Sequence, residues 1–206
     1  MGELTITTFL TIDGVMQAPG GPSEDTSGGF SHGGWVFPYA DDDFGKIIVD
    51  IFSKADAFLL GLTTWEIFAG YWPKVTDPND PVASKLNALP KFVASQTRTA
   101  FDWGGSELVR DAAAEVPALK KRFPGELQVH GSGALAQTLI RHGLIDEYRL
   151  LVFPVLLGSG KRLFAGGTVP ASLRLVRTAT TSAGAVLSVY RPAGALRTGS
   201  FELPEK

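Results

Sequence analysis

The stretch that most limits what this chain can fold into runs from Glu126 to Phe164, ELQVHGSGALAQTLIRHGLIDEYRLLVFPVLLGSGKRLF. Leu127 and Val129 alternate with polar neighbours, the two-residue period of a strand end. His130-Gly131-Ser132-Gly133 breaks that strand with a glycine-rich turn. Ala134 to His142 then reads as a helix with Leu135 and Leu139 one turn apart on one face, and Gly143 stops it as a C-cap. Tyr148 to Val155 is apolar at nearly every position, as a strand covered on both faces should be. The unit is strand, tight turn, helix, strand. Such a turn aims backbone N–H groups and a helix N-terminus at one spot, which suits a phosphate. Taken alone it serves tight packing equally well, so a functional reading needs a second phosphate-directed feature.

The rest of the chain continues the alternation. Leu4 to Ile12, rich in Thr, Ile and Phe, reads as the first strand, ended by Asp13-Gly14. Val15 to Pro38 is a long Gly- and Ser-rich loop carrying Trp35 and Phe37; loops of this length are functional or mobile. Asp41 to Asp43 place negative charge at a helix start, and Phe44, Ile47, Ile48, Ile51 and Phe52 recur with helical spacing. Ala57 to Leu60 is a buried strand ended by Gly61, and Thr63 or Thr64 is expected to cap the next helix. A short helix over Val82 to Leu89, strands over Lys91 to Ser95 and Ser106 to Val109, and a helix over Asp111 to Phe123 lead into the opening unit. Ser172 to Thr181 and Ala185 to Arg191 both alternate around Ser182-Ala183-Gly184, the pattern of a hairpin. Strands alternating with helices and closed by an antiparallel hairpin indicate one α/β domain with a mixed sheet over residues 1 to 191, followed by a tail from 192 to 206.

Composition narrows the function classes. The 206 residues carry 44% hydrophobic and 19% charged side chains, enough to bury a substantial core. A net charge of −2 with no basic run argues against a nucleic-acid or membrane partner. No cysteine means no disulfide and no thiolate metal site. MGELTITTFL lacks the basic and apolar regions of a signal peptide, and no segment approaches the ~20 apolar residues of a membrane helix. The expected location is cytoplasmic.

Two further strand ends supply the needed companions to the glycine turn. Gly61-Leu62-Thr63-Thr64 puts a glycine and two hydroxyls at a helix start, and Ser95-Gln96-Thr97-Arg98 puts hydroxyls and a cation after the next strand. Ligands of open parallel sheets bind at the carboxyl ends of strands, so the three ends can line one nucleotide-sized site. Here the sequence resembles the dihydrofolate reductase fold, and more closely its branch with the reductase domain of bifunctional riboflavin-biosynthesis deaminase-reductases. The residues that carry the resemblance are Asp13-Gly14, Leu60-Gly61-x-x-Thr64-Trp65-Glu66, Lys91 to Ser95, Gly131 to Ala134, and Gly143-Leu-Ile-Asp146-Glu147-Tyr148 continuing through Pro154 and Gly158-Ser-Gly160 to Leu163-Phe164.

That resemblance implies a three-layer fold with about eight strands in a mixed, mostly parallel sheet, and a nicotinamide dinucleotide across the three strand ends. Gly131, Ser132, Gly133 and Ala134 would cradle the pyrophosphate, Gly61 to Thr64 would also meet the phosphate chain, and Ser95, Gln96 and Thr97 would flank the adenosine. The nicotinamide would lie near Ala18 and the backbone of Asp13, with no metal. Two positions depart from the family pattern. Leu62 stands where an arginine commonly reads the 2′-phosphate of NADPH, which leaves Arg98 as the substitute or NADH as the cofactor. His130 stands where the riboflavin-pathway reductases carry an acidic residue. Asp13, Asp43 and His130 are the candidate catalytic residues: Asp43 as the carboxylate that would hold a pterin, His130 as a general acid. The expectation is an NAD(P)H-dependent reductase of a small heterocycle. Dihydrofolate reductase activity and a silent nucleotide-binding domain stand as alternatives. Exposed sheet edges and the apolar Tyr148 to Leu157 run point to a homodimer.

Overall fold

A computed structural model describes residues 2–164, 166 and 168–201. Eight strands form one sheet in the order β4-β3-β2-β5-β1-β6-β8-β7. They are β1 (Glu3–Thr11), β2 (Ala55–Gly61), β3 (Lys91–Ala94), β4 (Ser106–Val109), β5 (Glu126–His130), β6 (Glu147–Phe153), β7 (Leu173–Thr180) and β8 (Val186–Pro192). The pairs from β4 across to β6 are parallel, whereas β8 runs antiparallel to both β6 and β7. The helices are α1 (Asp42–Ser53), α2 (Leu62–Tyr71), α3 (Pro81–Ala88), α4 (Ala112–Arg122) and α5 (Gly133–Arg141).

The strand registers sort side chains onto two faces. Leu4 and Ile6 of β1 pair with Leu127 and Val129 of β5 and pack with Val116 and Leu119 of α4 and Leu135 and Leu139 of α5. The opposite face carries Phe9, Leu151 and Phe153 against Ile47, Ile48 and Ile51 of α1. Further along that side, Phe58 and Leu60 of β2 pack with Trp65 of α2 and Leu86 of α3. The helix starts follow local chemistry: Asp41, Asp80 and Asp111 each accept a backbone N–H from the first turn of α1, α3 and α4. Neither Thr63 nor Thr64 caps α2. Gly61 occupies that position, has no side chain to offer, and leaves the helix N-terminus open.

β6 lies between β1 and β8, so the apolar Tyr148 to Phe153 run is spent inside the sheet and supplies no outer face. The edges of the sheet are β4 and β7, and β7 is exposed along nearly its whole length. Beyond β8, Ala193 N–H donates to Ser172 O and Gly194 O accepts from Ser172 N–H, so the chain continues alongside β7. Residues 202–206 of the expected tail lie outside the described residues.

Candidate functional site

The carboxyl ends of β2, β3 and β5 open on one cavity of about 1420 Å³. That exceeds the roughly 300–1,000 Å³ of a pocket for one drug-sized ligand, so two ligands fit side by side. At one end stand Gly61 to Thr64, Ser95 to Thr97 and Gly131 to Ala134, the three segments read from the sequence. The other end lies between α1 and the loop after β1, with Phe44, Ile48 and Phe52 on the helix and Ala18, Gly20 and Gly21 on the loop. Thr7, Thr8 and His130 also line it.

The two helix N-termini at the strand ends are joined by one side chain. Ser132 Oγ accepts from Gly61 N–H at 3.0 Å and donates to the carbonyl of His130 at 3.0 Å. To reach both, Ser132 adopts a left-handed conformation, φ 54° and ψ 52°, uncommon outside glycine. Gly131 N–H is committed to Thr7 O, and the first carbonyl of α5, Ser132 O, is taken by Ala136 N–H. The N–H groups of residues 133–135 therefore point out of the helix into the cavity, as do the first N–H groups of α2. Two positive helix ends facing one space make an anion site. The crossing is close-packed: a Cβ on Gly61 would touch Ser132 Cβ at 3.4 Å, one on Gly133 would press on the flexible Met16 Sδ at 3.3 Å, and Gly131, at φ 54°, has the backbone conformation that favours glycine. Ala18 is the only other non-glycine residue with positive φ among the described residues, at 47°.

The three expected catalytic side chains fare differently. Asp13 does not line the cavity. Its carboxylate accepts from the Thr11 hydroxyl and from Leu157 and Gly158 N–H, which hold its pKa down to about 2 and tie two loops together. Asp43 turns outward to the Ser182 hydroxyl and Lys46, which hold its carboxyl below the usual range. The part of α1 that faces the cavity is apolar, so the carboxylate expected to hold a pterin is absent from that wall among the described residues. His130 does line the cavity, but as a buried neutral ring. Burial, with the positive charge of Arg149 behind it, pushes its pKa to about 3, so it carries no spare proton at neutral pH. That environment works against the general-acid role.

A hydrogen-bonded chain beneath the cavity fixes that ring. Arg149 holds both oxygens of Glu126 at 2.8 and 2.6 Å, and Glu126 Oε2 accepts from Gln128 Nε2 at 2.7 Å. Gln128 Oε1 meets His130 Nε2 at 3.1 Å, while Phe52 stacks on the imidazole at 4.4 Å. Glu147 pairs with Arg149 and with Arg191, and Arg191 pairs with Glu3. The line thus runs across β5, β6, β8 and β1 to the surface. None of this shows in the sequence beyond the i, i+2 alternation of Glu126, Gln128 and His130.

Charges at the cavity also differ from expectation. Arg98 does not line it; the guanidinium lies over Trp65 and pairs with Glu66 and Asp102. The cation at that end is Arg110, which follows β4 and donates to Ser95 O at 3.0 Å. On the loop after β1, Glu24 and Asp25 face the cavity side by side with Lys161. Glu24 is pushed up by burial, against the pull of Gly20 and Gly21 N–H, and the charge of Asp25 adds to the rise. Asp25 is partly desolvated too, but Lys161 at 2.6 Å and Ser27 hold it down. The long loop is pinned through these contacts and through Gln17, whose amide donates to Asp25 O and Ser27 O. Sequence reading missed Glu24, Asp25, Arg110 and Lys161 because loop residues carry no periodicity.

The strand order, the antiparallel end and the strand-end cavity define a dihydrofolate reductase-like fold. Solved structures agree in fold. A putative riboflavin biosynthesis protein from Shewanella sp. PV-4 superimposes with TM-score 0.67 at 21% identity, covering 92% of this chain and 98% of that one. A dihydrofolate reductase from Enterococcus faecalis complexed with NADP(H) gives 0.59 at 14%, covering 93% and 97%. A Thermotoga maritima diaminohydroxyphosphoribosylaminopyrimidine deaminase/5-amino-6-(5-phosphoribosylamino)uracil reductase gives 0.60 at 14%, covering 93% of this chain and 57% of that one. The family described as RibD C-terminal domain matches residues 3–187, and the chain belongs to it. An uncharacterized protein of Bacillus subtilis, YyaP, is 30% identical over 183 residues, 88% of this chain and 90% of that protein.

Proposed function

We propose that this protein is an NADPH-dependent reductase of a small heterocycle. The observation that carries this reading is the meeting of two open helix N-termini, bridged by Ser132, in a cavity that continues into an apolar chamber. Family membership supports it, as do structural neighbours that are named reductases. A nicotinamide dinucleotide fits the residues present. The unpaired N–H groups at the starts of α2 and α5 would hold the pyrophosphate, with Gly61, Gly131 and Gly133 leaving room for it. Ser95, Gln96 and Thr97 would flank the adenosine, and the nicotinamide would lie beside Ala18. Arg110, rather than Arg98 or Leu62, would meet a 2′-phosphate, since a guanidinium beside two hydroxyls suits that group.

When bound, the cofactor supplies the hydride. The chain's own work is orientation, exclusion of water and custody of a proton. Of the two adjacent carboxyls on the loop, one is pushed toward the protonated form and the other is held as the anion. Split pairs of this kind mark acid and base roles, and in this reading Glu24 would be the residue that delivers a proton.

Titration of the protein with NADPH and NADH, read by quenching of Trp72 in the cavity wall and by the shift in melting temperature, tests the reading. NADPH should bind more tightly, and Arg110→Gln should remove that margin while leaving NADH unchanged. Binding of neither cofactor would overturn it.

A further inference from the structure

Resting on the reductase reading, we infer that the α1 end of the cavity takes an uncharged ring without a phosphate, oriented by an N–H that the ring donates to His130 Nδ1. Each joint behind His130 admits one sense. Gln128 Nε2 donates to Ile51 O at 2.6 Å and to Glu126 Oε2 at 2.7 Å, so the side-chain oxygen of Gln128 must face the imidazole. That oxygen accepts from His130 Nε2, which places the ring proton there and leaves Nδ1 as a lone pair. No donor among the described residues takes Nδ1. Thr7, paired with His130 across β1 and β5, lines the cavity, and its buried hydroxyl has no partner. The Thr7 hydroxyl is itself closed off from the cavity, so the ring nitrogen alone is left to be matched by a ligand N–H, and burying it unmatched is costly.

Charge decides against a phosphate. Phe44, Ile48 and Phe52 contribute none. At the mouth, Glu24 and Asp25 confront a single cation, Lys161, already paired with Asp25 at 2.6 Å. Arg110 stands at the far end, after β4. A phosphate carried on the substrate would meet the Asp25 carboxylate, with the buried Glu24 beside it, and would have to strip Lys161 from Asp25. An uncharged ring disturbs nothing there and is stacked and desolvated by the aromatic wall.

The test uses cofactor-loaded protein and three probes: 5-amino-6-(5-phosphoribosylamino)uracil, the same compound without its phosphate, and 6-methylpterin, with affinity read by calorimetry. The two unphosphorylated probes should bind at least about tenfold more tightly than the phosphorylated one. His130→Phe keeps the stack on Phe52 but loses the acceptor, and should weaken both by about tenfold. His130→Gln serves as a second variant if Phe disturbs the fold. Asp25→Asn frees Lys161 and should raise the affinity of the phosphorylated compound relative to its partner. Preference of wild type for the phosphorylated compound, an unchanged ratio in Asp25→Asn, indifference to His130→Phe, or no binding of any probe overturns this inference while leaving cofactor binding intact. Failure to bind either cofactor strikes the reductase reading itself.

Discussion

His130 makes a quantitative claim about acid stability. In the unfolded chain its imidazole titrates near 6.5; in the folded protein burial and Arg149 hold the pKa at about 3. A group whose folded pKa is depressed takes up its proton in the unfolded state first. Stability from this site is therefore complete above pH 6.5 and is lost as pH falls through the window from 6.5 toward 3. At pH 5 the unfolded state is favoured by RT ln[(1 + 10^1.5)/(1 + 10^−2)], about 2 kcal/mol, relative to pH 7. The assay is urea unfolding at pH 7, 6 and 5 for wild type and His130→Gln, with far-ultraviolet dichroism as the probe. Carboxylates contribute equally to both proteins and cancel in the difference. The variant loses the stack on Phe52 and so starts lower, but only the slope matters. Wild type should lose about 2 kcal/mol more than His130→Gln between pH 7 and pH 5. Parallel pH curves would show that the ring is solvated enough to titrate normally, and both the neutral-acceptor assignment and the loss of the general-acid role would fall with it.

Other expectations follow from the same geometry. Arg149→Met leaves Glu126 buried without its bidentate partner and should cost about 3–5 kcal/mol of unfolding free energy, readable by urea denaturation. Leu62→Arg puts a guanidinium at the first position of α2 on the cavity wall and should tighten NADPH relative to NADH by about tenfold; equal affinities before and after would remove that position from cofactor choice. Glu24→Gln should leave the NADPH dissociation constant unchanged and lower turnover by about 10²–10⁴-fold with whichever heterocycle the enzyme accepts; full activity would exclude Glu24 as proton holder. Light scattering should report a dimer formed along the β7 edge, where Leu173, Leu175 and Val176 are exposed, and a Val176→Lys change should shift it to monomer.

The fold was legible because its signals are local. The apolar period of α1, the uniform run in β6 and the alternation flanking Ser182 to Gly184 are each carried by a short stretch of chain, whichever neighbours cover it. The three glycine-bearing strand ends were readable for the same reason: each is a few residues of turn chemistry. The polar half of the site was not. Asp43 looked like a ligand because it sits on the right helix, yet the rotation that buries Phe44, Ile48 and Phe52 carries it to the outside. Arg98 looked like the phosphate cation, but Trp65 and Glu66 on α2 claim it first. Arg149 of β6 reaches His130 only through Glu126 and Gln128 of β5, and Lys161 meets Asp25 across 136 residues. Such partnerships depend on sheet order, which no window of sequence contains.

The Ser132 bridge has one more consequence. Gly61 N–H ends β2, yet its acceptor is a hydroxyl on a different strand–helix turn, held by a backbone in an uncommon conformation. The exchange rate of that single amide is thus a gauge of whether the two turns stay in step. A cofactor pressing on both helix ends should slow it far more than it slows amides within β2. Replacing Ser132 with glycine, which relaxes the backbone and deletes the hydroxyl, should let the two turns exchange independently.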